Sequence, residues 1–539
     1  MNLSGFPELC RVAVRVATGV MLLCAAGCST SHVLRQTDRA VDEILRAKHE
    51  EAASYRLPPA ALTRPDEDAG SETTTLTLRD CLTRGTLRNR DFQSQRDALA
   101  KSALSLFSTR FRYQTRFGSA GATATYTPDG RTLTASPGFE LLRWLSAGAR
   151  ISVSVTEHII RSFATGGTQT YQPSVVFSLF QPLLQGAGRR IAGEELRSAE
   201  RSVVYQIRSF LRYQESFSID VARRYYDVLL ARDNLKNIRN NEQFLRDAAD
   251  RIQMLADAGR TAQFQADQAR QDAYRAEQNR VQAENRLRTL EDEFKVFLGI
   301  PPQATVVFDP SPLENLLRTG IPEMPLDVET FIETALASRL DLMTTYDEYE
   351  DAERRVVLSR DALRTRLDLS ASLKGGSDPS SRLTADLSEW EWEAGLALDL
   401  PVGKVPEAVA YRTALIDRDR AKRDFILKRE QISLEVINAA AGVREAYLSY
   451  QSQKNSLALA ERRVDSTQML QEAGRATTRD LLDAQESYLS ARTSVAQSVV
   501  RYLTAYLQFL QACEMLPLDE HGVWKGVVYA QVTGETLPQ

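Results

Sequence analysis

Near the end of the chain, Leu481, Tyr488, Val495, Tyr502 and Phe509 recur every seven residues. Leu482, Leu489, Ala496, Leu503 and Leu510 stand one position on, and Ala484, Ala491, Ser498, Ala505 and Ala512 form a third row. At about 100° per residue these rows make an apolar stripe roughly 160° wide, the mark of a helix with one face buried. A strict seven-residue period asks for left-handed supercoiling against neighbours. The alanine row lets one backbone approach closely, so antiparallel helical partners are expected. From Arg189 to Ala258 no proline intervenes, and Gly193 is the one glycine before the end. Roughly 65 to 70 continuous helical residues would span about 100 Å, far beyond an ordinary globular helix.

Other segments change period. In "WEWEAGLALDL", Trp390, Trp392, Ala394, Leu396, Leu398 and Leu400 fall on one side, and Glu391, Glu393, Gly395, Ala397 and Asp399 on the other. "LDLSASL" from Leu367, "ISVSVT" from Ile151 and "VVFSLF" from Val175 behave alike, though Val176 and Phe180 spoil the last. Period two is a strand signal. A soluble sheet with one wet face gives the same alternation. A hairpin is nevertheless inserted between helices in each half, the second with the polar loop "KGGSDPSSRLTADLSE" at its tip. Two hairpins make four strands, and an open four-stranded sheet cannot lie in lipid with bare edges. It must close with copies of itself: two copies give eight strands and little lumen, three give twelve and room for a channel. In the first half, residues 117–127, 150–157 and 170–181 all look strand-like, which leaves open which of them would cross a membrane.

The chain also repeats itself. "QMLADAGRT" from Gln253 returns as "QMLQEAGRA" from Gln468, an offset of 215. At the same offset Ala269, Ala276 and Ala283 match Ala484, Ala491 and Ser498, and Pro302 in "FLGIPP" matches Pro517 in "CEMLP". "LTLRDCLTRGTLRNRDF" from Leu76 resembles "LDVETFIETALASRLDL" from Leu326 at an offset of 250, and Pro182 matches Pro401 at 219. Four ordered matches indicate tandem duplication, with about thirty extra residues in the first half before its Pro182 strand.

Composition narrows the class. The 539 residues carry a formal net charge of −4, with 26% charged and 43% hydrophobic. No basic excess favours nucleic acid, and beyond the N-terminus no stretch is apolar for the ~18 residues a spanning helix needs. Arg11 and Arg15 precede "VATGVMLLCAAGC", which reads as a secretory signal. Its end, Leu23-Cys24-Ala25-Ala26-Gly27-Cys28, resembles a bacterial lipobox, although Ala25 stands where leucine is usual. That resemblance makes Cys28 the lipidated first residue of the mature chain, and Ser29 after it implies sorting to the outer membrane. Ordinary cleavage near Ala26 is the alternative.

A lipobox, two halves of helix, hairpin and long helices, and paired Ala-Gly-Arg turns together resemble the TolC-like outer-membrane efflux proteins over nearly all of residues 75–517. "EAGRATTRDLLDAQESYLSAR" looks like that family's second periplasmic helix-hairpin tip, and "FSLFQPLLQGAG" like its strand returning into a long helix. The resemblance implies a mainly α fold with a membrane β-barrel: a homotrimer with a twelve-stranded barrel and a long periplasmic α-helical barrel, built from two tandem repeats. It implies docking onto a periplasmic adaptor and an inner-membrane transporter, in an efflux pump or a type I secretion system. The corresponding division is a signal peptide at 1–27, an acylated tether at 28–75, repeats at 76–302 and 326–517, a linker at 303–325 and a tail at 518–539. The second repeat would hold a β-hairpin at 366–400, and the helical tips would lie near 259 and 474.

The turn chemistry agrees. Gly259 and Gly474 can end one helix in the left-handed region. Thr261, and Thr477 or Thr478, can cap the returning helix. By resemblance these turns, with Arg260 and Arg475, meet the adaptor, and Pro182 and Pro401 mark strand-to-helix bends. The gate acids of the family correspond here to Asp480 and Asp483, one helical turn apart, whose three copies would ring the periplasmic mouth. Acids near a helix N-terminus are also ordinary. Gln265 takes the position equivalent to Asp480, and Ala476 stands where a gate arginine can occur, beside Arg475. The resemblance puts Cys81 and Cys513 near the middle of the periplasmic body, either paired or as two separate buried thiols. His32, His49, His158 and His521 have no ligand spacing, and "QGAGRR" lacks the third glycine and the βαβ context of a dinucleotide site. No catalytic motif, metal set or cofactor is expected. The structural rival is a lipid-anchored periplasmic coiled-coil protein with a small soluble sheet.

Overall fold

The computed structural model describes residues 30–52, 74–127, 132–162, 169–325, 327–376, 389–400, 403–473, 475–519 and 522–534. Cys28, Gly474, Pro401, the signal segment and the loop at 377–388 lie outside the described residues. The first half runs α1 (Thr30–Ala52), β1 (Thr74–Leu76), α2 (Leu78–Arg88), α3 (Arg90–Arg112), β2 (Arg116–Thr127), β3 (Thr132–Trp144), β4 (Arg150–Ser162) and β5 (Gln169–Pro182). Then come α4 (Arg189–Ala192), α5 (Glu194–Asp257) and α6 (Gln263–Phe297). The chain continues through β6 (Val306–Phe308), α7 (Ser311–Thr319), α8 (Val328–Ser338), α9 (Leu340–Ala362), β7 (Arg366–Gly376) and β8 (Glu389–Asp399), and ends with α10 (Val405–Glu472), α11 (Thr478–Ala512) and α12 (Val527–Thr533).

Helix boundaries recur in register with the sequence matches. Those of α8 and α9 repeat those of α2 and α3 at an offset of 250, and those of α11 repeat those of α6 at an offset of 215. Helix α1 gives the segment read as a tether 23 residues of regular structure. The long helix expected from Arg189 is interrupted at Gly193, so that the four-residue α4 precedes the 64 residues of α5. At about 1.5 Å per residue α5 still extends over roughly 96 Å. Among the described residues, no helix is long and apolar enough to cross a membrane.

The strand count corrects the sequence expectation. The large sheet has six strands in the order β2-β3-β4-β5-β7-β8, every neighbour antiparallel, where four were expected. The unforeseen strand is β3, "TLTASPGFELLRW", whose Pro137, Gly138 and Glu140 depress strand propensity although Leu133, Ala135, Phe139 and Leu141 alternate to one face. The roughly thirty extra residues of the first half are a complete hairpin, so three copies of this sheet would hold eighteen strands and not twelve.

Two compact units form. The first comprises the described parts of Met1–Arg56, Ala98–Ile207 and Thr344–Phe425, and contains the six-stranded sheet. Its helices are cross-braced by Arg201, which reaches Asp347 at 2.8 Å and Asp351 at 2.8 Å, while the Tyr205 hydroxyl donates to Asp351 at 2.7 Å. The second comprises the described parts of Leu57–Asp97, Arg208–Met343 and Ile426–Gln539. Its core holds Tyr225, Phe294, Phe308 and Trp524, with β1 pairing β6 in parallel. Polar ends of these aromatics are satisfied: Trp524 Nε1 donates to Ser218 Oγ at 3.0 Å and the Tyr225 hydroxyl to the Asp309 carbonyl at 2.6 Å. The stripe read from the sequence is largely buried in this unit, including Val495, Leu503, Phe509 and Ala512. Cys81 and Cys513 are both buried and both free.

Candidate functional site

Register sorts the sheet into two chemically distinct faces, because residues opposite each other across a strand pair share a face. Trp392 lies opposite Leu373, and Leu373 opposite Phe177; Phe177 lies opposite Val153, and Val153 opposite Leu141. Leu141 in turn lies opposite Phe117. One apolar row therefore crosses all six strands. Leu396 and Leu369, Ala394 and Ala371, and Leu179 and Ile151 extend it along the strands. The alternate positions are hydroxyl-rich: Ser152 opposite Ser178, Ser178 opposite Ser372, Ser372 opposite Glu393, with Ser154, Thr156 and Ser174 nearby. His158 belongs to this polar face, its Nδ1 at 2.9 Å from Ser136 Oγ. The apolar face is uncovered: Trp392 is 76% exposed and Leu396 67%, with Phe117, Phe177 and Trp390 also exposed. A soluble protein rarely leaves so large an apolar surface open. Among the described residues, Arg143, Glu157 and Arg161 are the charged positions along it.

At the foot of β5 the strand turns toward a helix. Pro182 is the last strand residue, opposite Asp368, and the next N–H, from Leu183, donates to the Leu367 carbonyl at 2.7 Å. The bend is fixed by Asp361, buried, whose carboxylate accepts from the Gly186 N–H at 2.7 Å. A cavity of about 430 Å³ lies here, lined among others by Arg112, Arg116, Trp144 and Phe180.

The helical turns share one main-chain design. In the first copy the Arg260 N–H donates to the Leu255 carbonyl at 2.8 Å, and in the second the Arg475 N–H donates to the Leu470 carbonyl at 2.8 Å. In the first turn Gly259, at φ +68, donates to Ala256 at 2.9 Å, completing a Schellman closure that favours glycine. The returning helices differ. Helix α6 starts after Ala262 with no side-chain cap, so Thr261 does not cap it. Its hydroxyl points instead to Gln265 Oε1 at 3.2 Å, because the position equivalent to Thr477 is held by Ala262, one residue further on. Helix α11 starts after Thr477 with a complete capping box: the Thr477 N–H and hydroxyl donate to Asp480 at 2.8 and 2.6 Å, and the Asp480 N–H donates back at 3.3 Å. The Thr477 hydrogen bonds hold the Asp480 carboxyl below its ordinary range. Asp483 is exposed on the same helical face.

A feature that the sequence reading missed lies in the second unit. Arg339, 2% exposed, reaches Asp341 through Nη2 at 2.8 Å, and through Nη1 it reaches Glu435 at 2.8 Å and the Ala512 carbonyl at 3.2 Å. Asp341 also meets Lys428 at 2.8 Å and Arg212 at 3.5 Å, and Arg212 meets Glu514 at 2.5 Å. Burial opposes charge on Asp341, but the Arg339 hydrogen bonds and the Arg212 charge outweigh it and hold its pKa low. Glu215 goes the other way: burial, then the nearby Glu514 carboxylate, pushes it well above the carboxylate range. Burial raises Glu514 too, despite Arg212. One oxygen of each, Glu215 Oε2 and Glu514 Oε1, is buried without a hydrogen-bond partner. Glu514 also sits at φ +55 in a Schellman closure, its N–H donating to Gln511 at 3.0 Å and that of Met515 to Leu510 at 2.8 Å. At the equivalent place in the first copy stands Gly299, at φ +70, with the same two bonds. The signal was present in "FLGIPP" against "CEMLP": a charged residue where the first copy keeps glycine. Among the described residues, no group of three or more His, Cys, Asp or Glu is placed to hold a metal ion.

No protein-family profile matches the sequence, and no curated protein matches it either. Solved structures do. CusC, from a study of transmembrane channel formation, matches with a TM-score of 0.59 at 14% identity, over 85% of this chain and 98% of that one. The outer membrane protein VceC of Vibrio cholerae matches at 0.57 and 13% identity, over 81% and 95%. The Campylobacter jejuni CmeC outer membrane channel matches at 0.57 and 12% identity, over 87% and 94%. This chain therefore has the fold of the TolC-like outer-membrane channel proteins.

Proposed function

We propose that the protein is an outer-membrane export duct, a passive channel of a tripartite efflux pump or type I secretion system. Three copies close their sheets into a barrel with the apolar face to lipid and the hydroxyl-rich face to the lumen, and their long helices form a periplasmic helical barrel. The uncovered apolar face, continuous over six strands and backed by a polar one, carries the proposal. It also weighs against a small soluble sheet, whose apolar side would need a covering layer. The recurring helix boundaries support tandem repeats at 76–302 and 326–517, joined by 303–325 and followed by a tail at 518–539. Cys28 is the lipid anchor after removal of residues 1–27, with 28–75 as tether.

The turns at Gly259, Arg260 and Thr261 and at Gly474, Arg475 and Thr477 dock onto a periplasmic adaptor that links the duct to an inner-membrane transporter. Energy comes from that transporter. Asp480 and Asp483 form carboxylate rings at the mouth. Because Asp480 also belongs to the capping box, Asp483→Asn is the cleaner probe of the gate. It is expected to raise single-channel conductance of reconstituted protein, and unchanged conductance removes Asp483 from the gate. The duct itself is tested by extraction with the outer membrane as a heat-modifiable trimer that conducts in planar bilayers. A monomeric chain that stays soluble without detergent overturns it.

A further inference from the structure

Strands β2 and β8 end the sheet, each paired on one side only among the described residues. They are 12 and 11 residues long, enough to cross a bilayer core when tilted, for which about 9–11 suffice. Antiparallel order alternates across the sheet, so the chain direction of β8 is opposite to that of β2. A second copy can therefore add its β2 to β8 without breaking the antiparallel alternation. Both edges carry the same facing: Trp392, Ala394 and Leu396 on β8 lie on the apolar side, as do Phe117, Ala124 and Tyr126 on β2. Six strands are fewer than the eight of the smallest membrane barrels, so one copy cannot close alone.

We propose that β8 of each copy pairs antiparallel with β2 of the next, so that three copies build an eighteen-stranded barrel in which β3 and β4 are wall strands. The count of three rests on the trimeric duct proposed above; the seam and the six strands per copy do not. At eighteen strands the wall resembles that of a porin, wide enough for an aqueous channel along its whole height. The polar face supplies a lumen rich in serine and threonine hydroxyls, with Arg150, Lys374, Glu391 and Glu393 among them, suited to hydrated solutes.

Electron cryomicroscopy of the full-length protein in detergent, without substitutions, counts the strands directly. Eighteen strands in a ring of three copies support the inference. Twelve strands, with β3 and β4 folded away from the wall, overturn it while leaving the duct standing. A ring of eighteen that conducts nothing leaves the seam intact and sinks the duct. A monomer with free edges overturns both. In parallel, Ala124→Cys combined in turn with Trp392→Cys, Ala394→Cys or Leu396→Cys should give a disulfide-linked ladder up to three copies for at least one pair in isolated outer membranes. Absence of linked copies from all three pairs argues against the seam.

Discussion

Glu514 occupies a backbone conformation that its counterpart Gly299 adopts without penalty, and a non-glycine residue there costs about 1 kcal/mol. The strain persists because the side chain reaches Arg212 inside the second unit. The same placement sets two carboxylates against each other. Between about pH 5, where an unfolded glutamate has already ionised, and the raised range of the folded pair, the folded state holds a proton that the unfolded chain has lost. Stability from this pair is therefore greatest at low pH and declines as pH rises. Arg212, Arg339 and Asp341 are the charges acting on the pair, with Glu435 behind Arg339 and Lys428 behind Asp341, and Asp341 works in the opposite direction, losing its contribution only in acid. Glu215→Gln should flatten the fall in melting temperature between pH 5 and pH 9. Glu514→Gly should raise the melting temperature more at pH 8 than at pH 5, and an equal change at both would show that the pair does not share a proton. None of this was legible from local patterns, since Glu215, Arg339 and Glu514 are far apart in sequence. Only the comparison of the two copies flags Glu514.

At the level of elements, the long helices were legible because a seven-residue stripe runs unbroken for five turns of the pattern, from Leu481 to Phe509. The turns were legible in part. Gly259 closes the first tip as its sequence suggested, but the cap was decided by residue type at the position before the helix, Ala262 in the first copy and Thr477 in the second. Thr477→Val should therefore destabilise its hairpin tip by about 1 kcal/mol through loss of the capping box. Thr261→Val should cost under about 0.5 kcal/mol, as a half-buried surface position without a cap does. Amide hydrogen exchange of the first turns of α11 and α6 reads both. Strand β3 escaped because a proline, a glycine and a glutamate on one short stretch look like a loop, whereas in the sheet the ladder to β4 lapses at Ser136 and Pro137 and resumes at Gly138 while the pairing with β2 continues. Its hairpin is a clean insertion. Deleting residues 132–162 leaves β2 and β5 running in opposite directions and joined by a short loop, so the shortened chain should still form a ring, with twelve strands by electron cryomicroscopy. Failure of this variant to trimerise, with the full chain intact, would make the hairpin a requirement for assembly.

For the molecule as a whole, the mainly helical fold with inserted strands was readable from the order of helix, strands and long helices. The number of strands was not, and it alters the proposed channel more than any single side chain does. The order of the sheet also dictates when it can be made. Strands β2 to β5 are sequential neighbours and can pair as soon as they emerge, but β7 must find β5 across the whole of α5 and α6, with Pro182 opposite Asp368. Such a distant pairing is slow to form. A chain interrupted in transit would carry a four-stranded meander with its apolar side and the β5 edge both bare, the form most exposed to aggregation and to a holding chaperone.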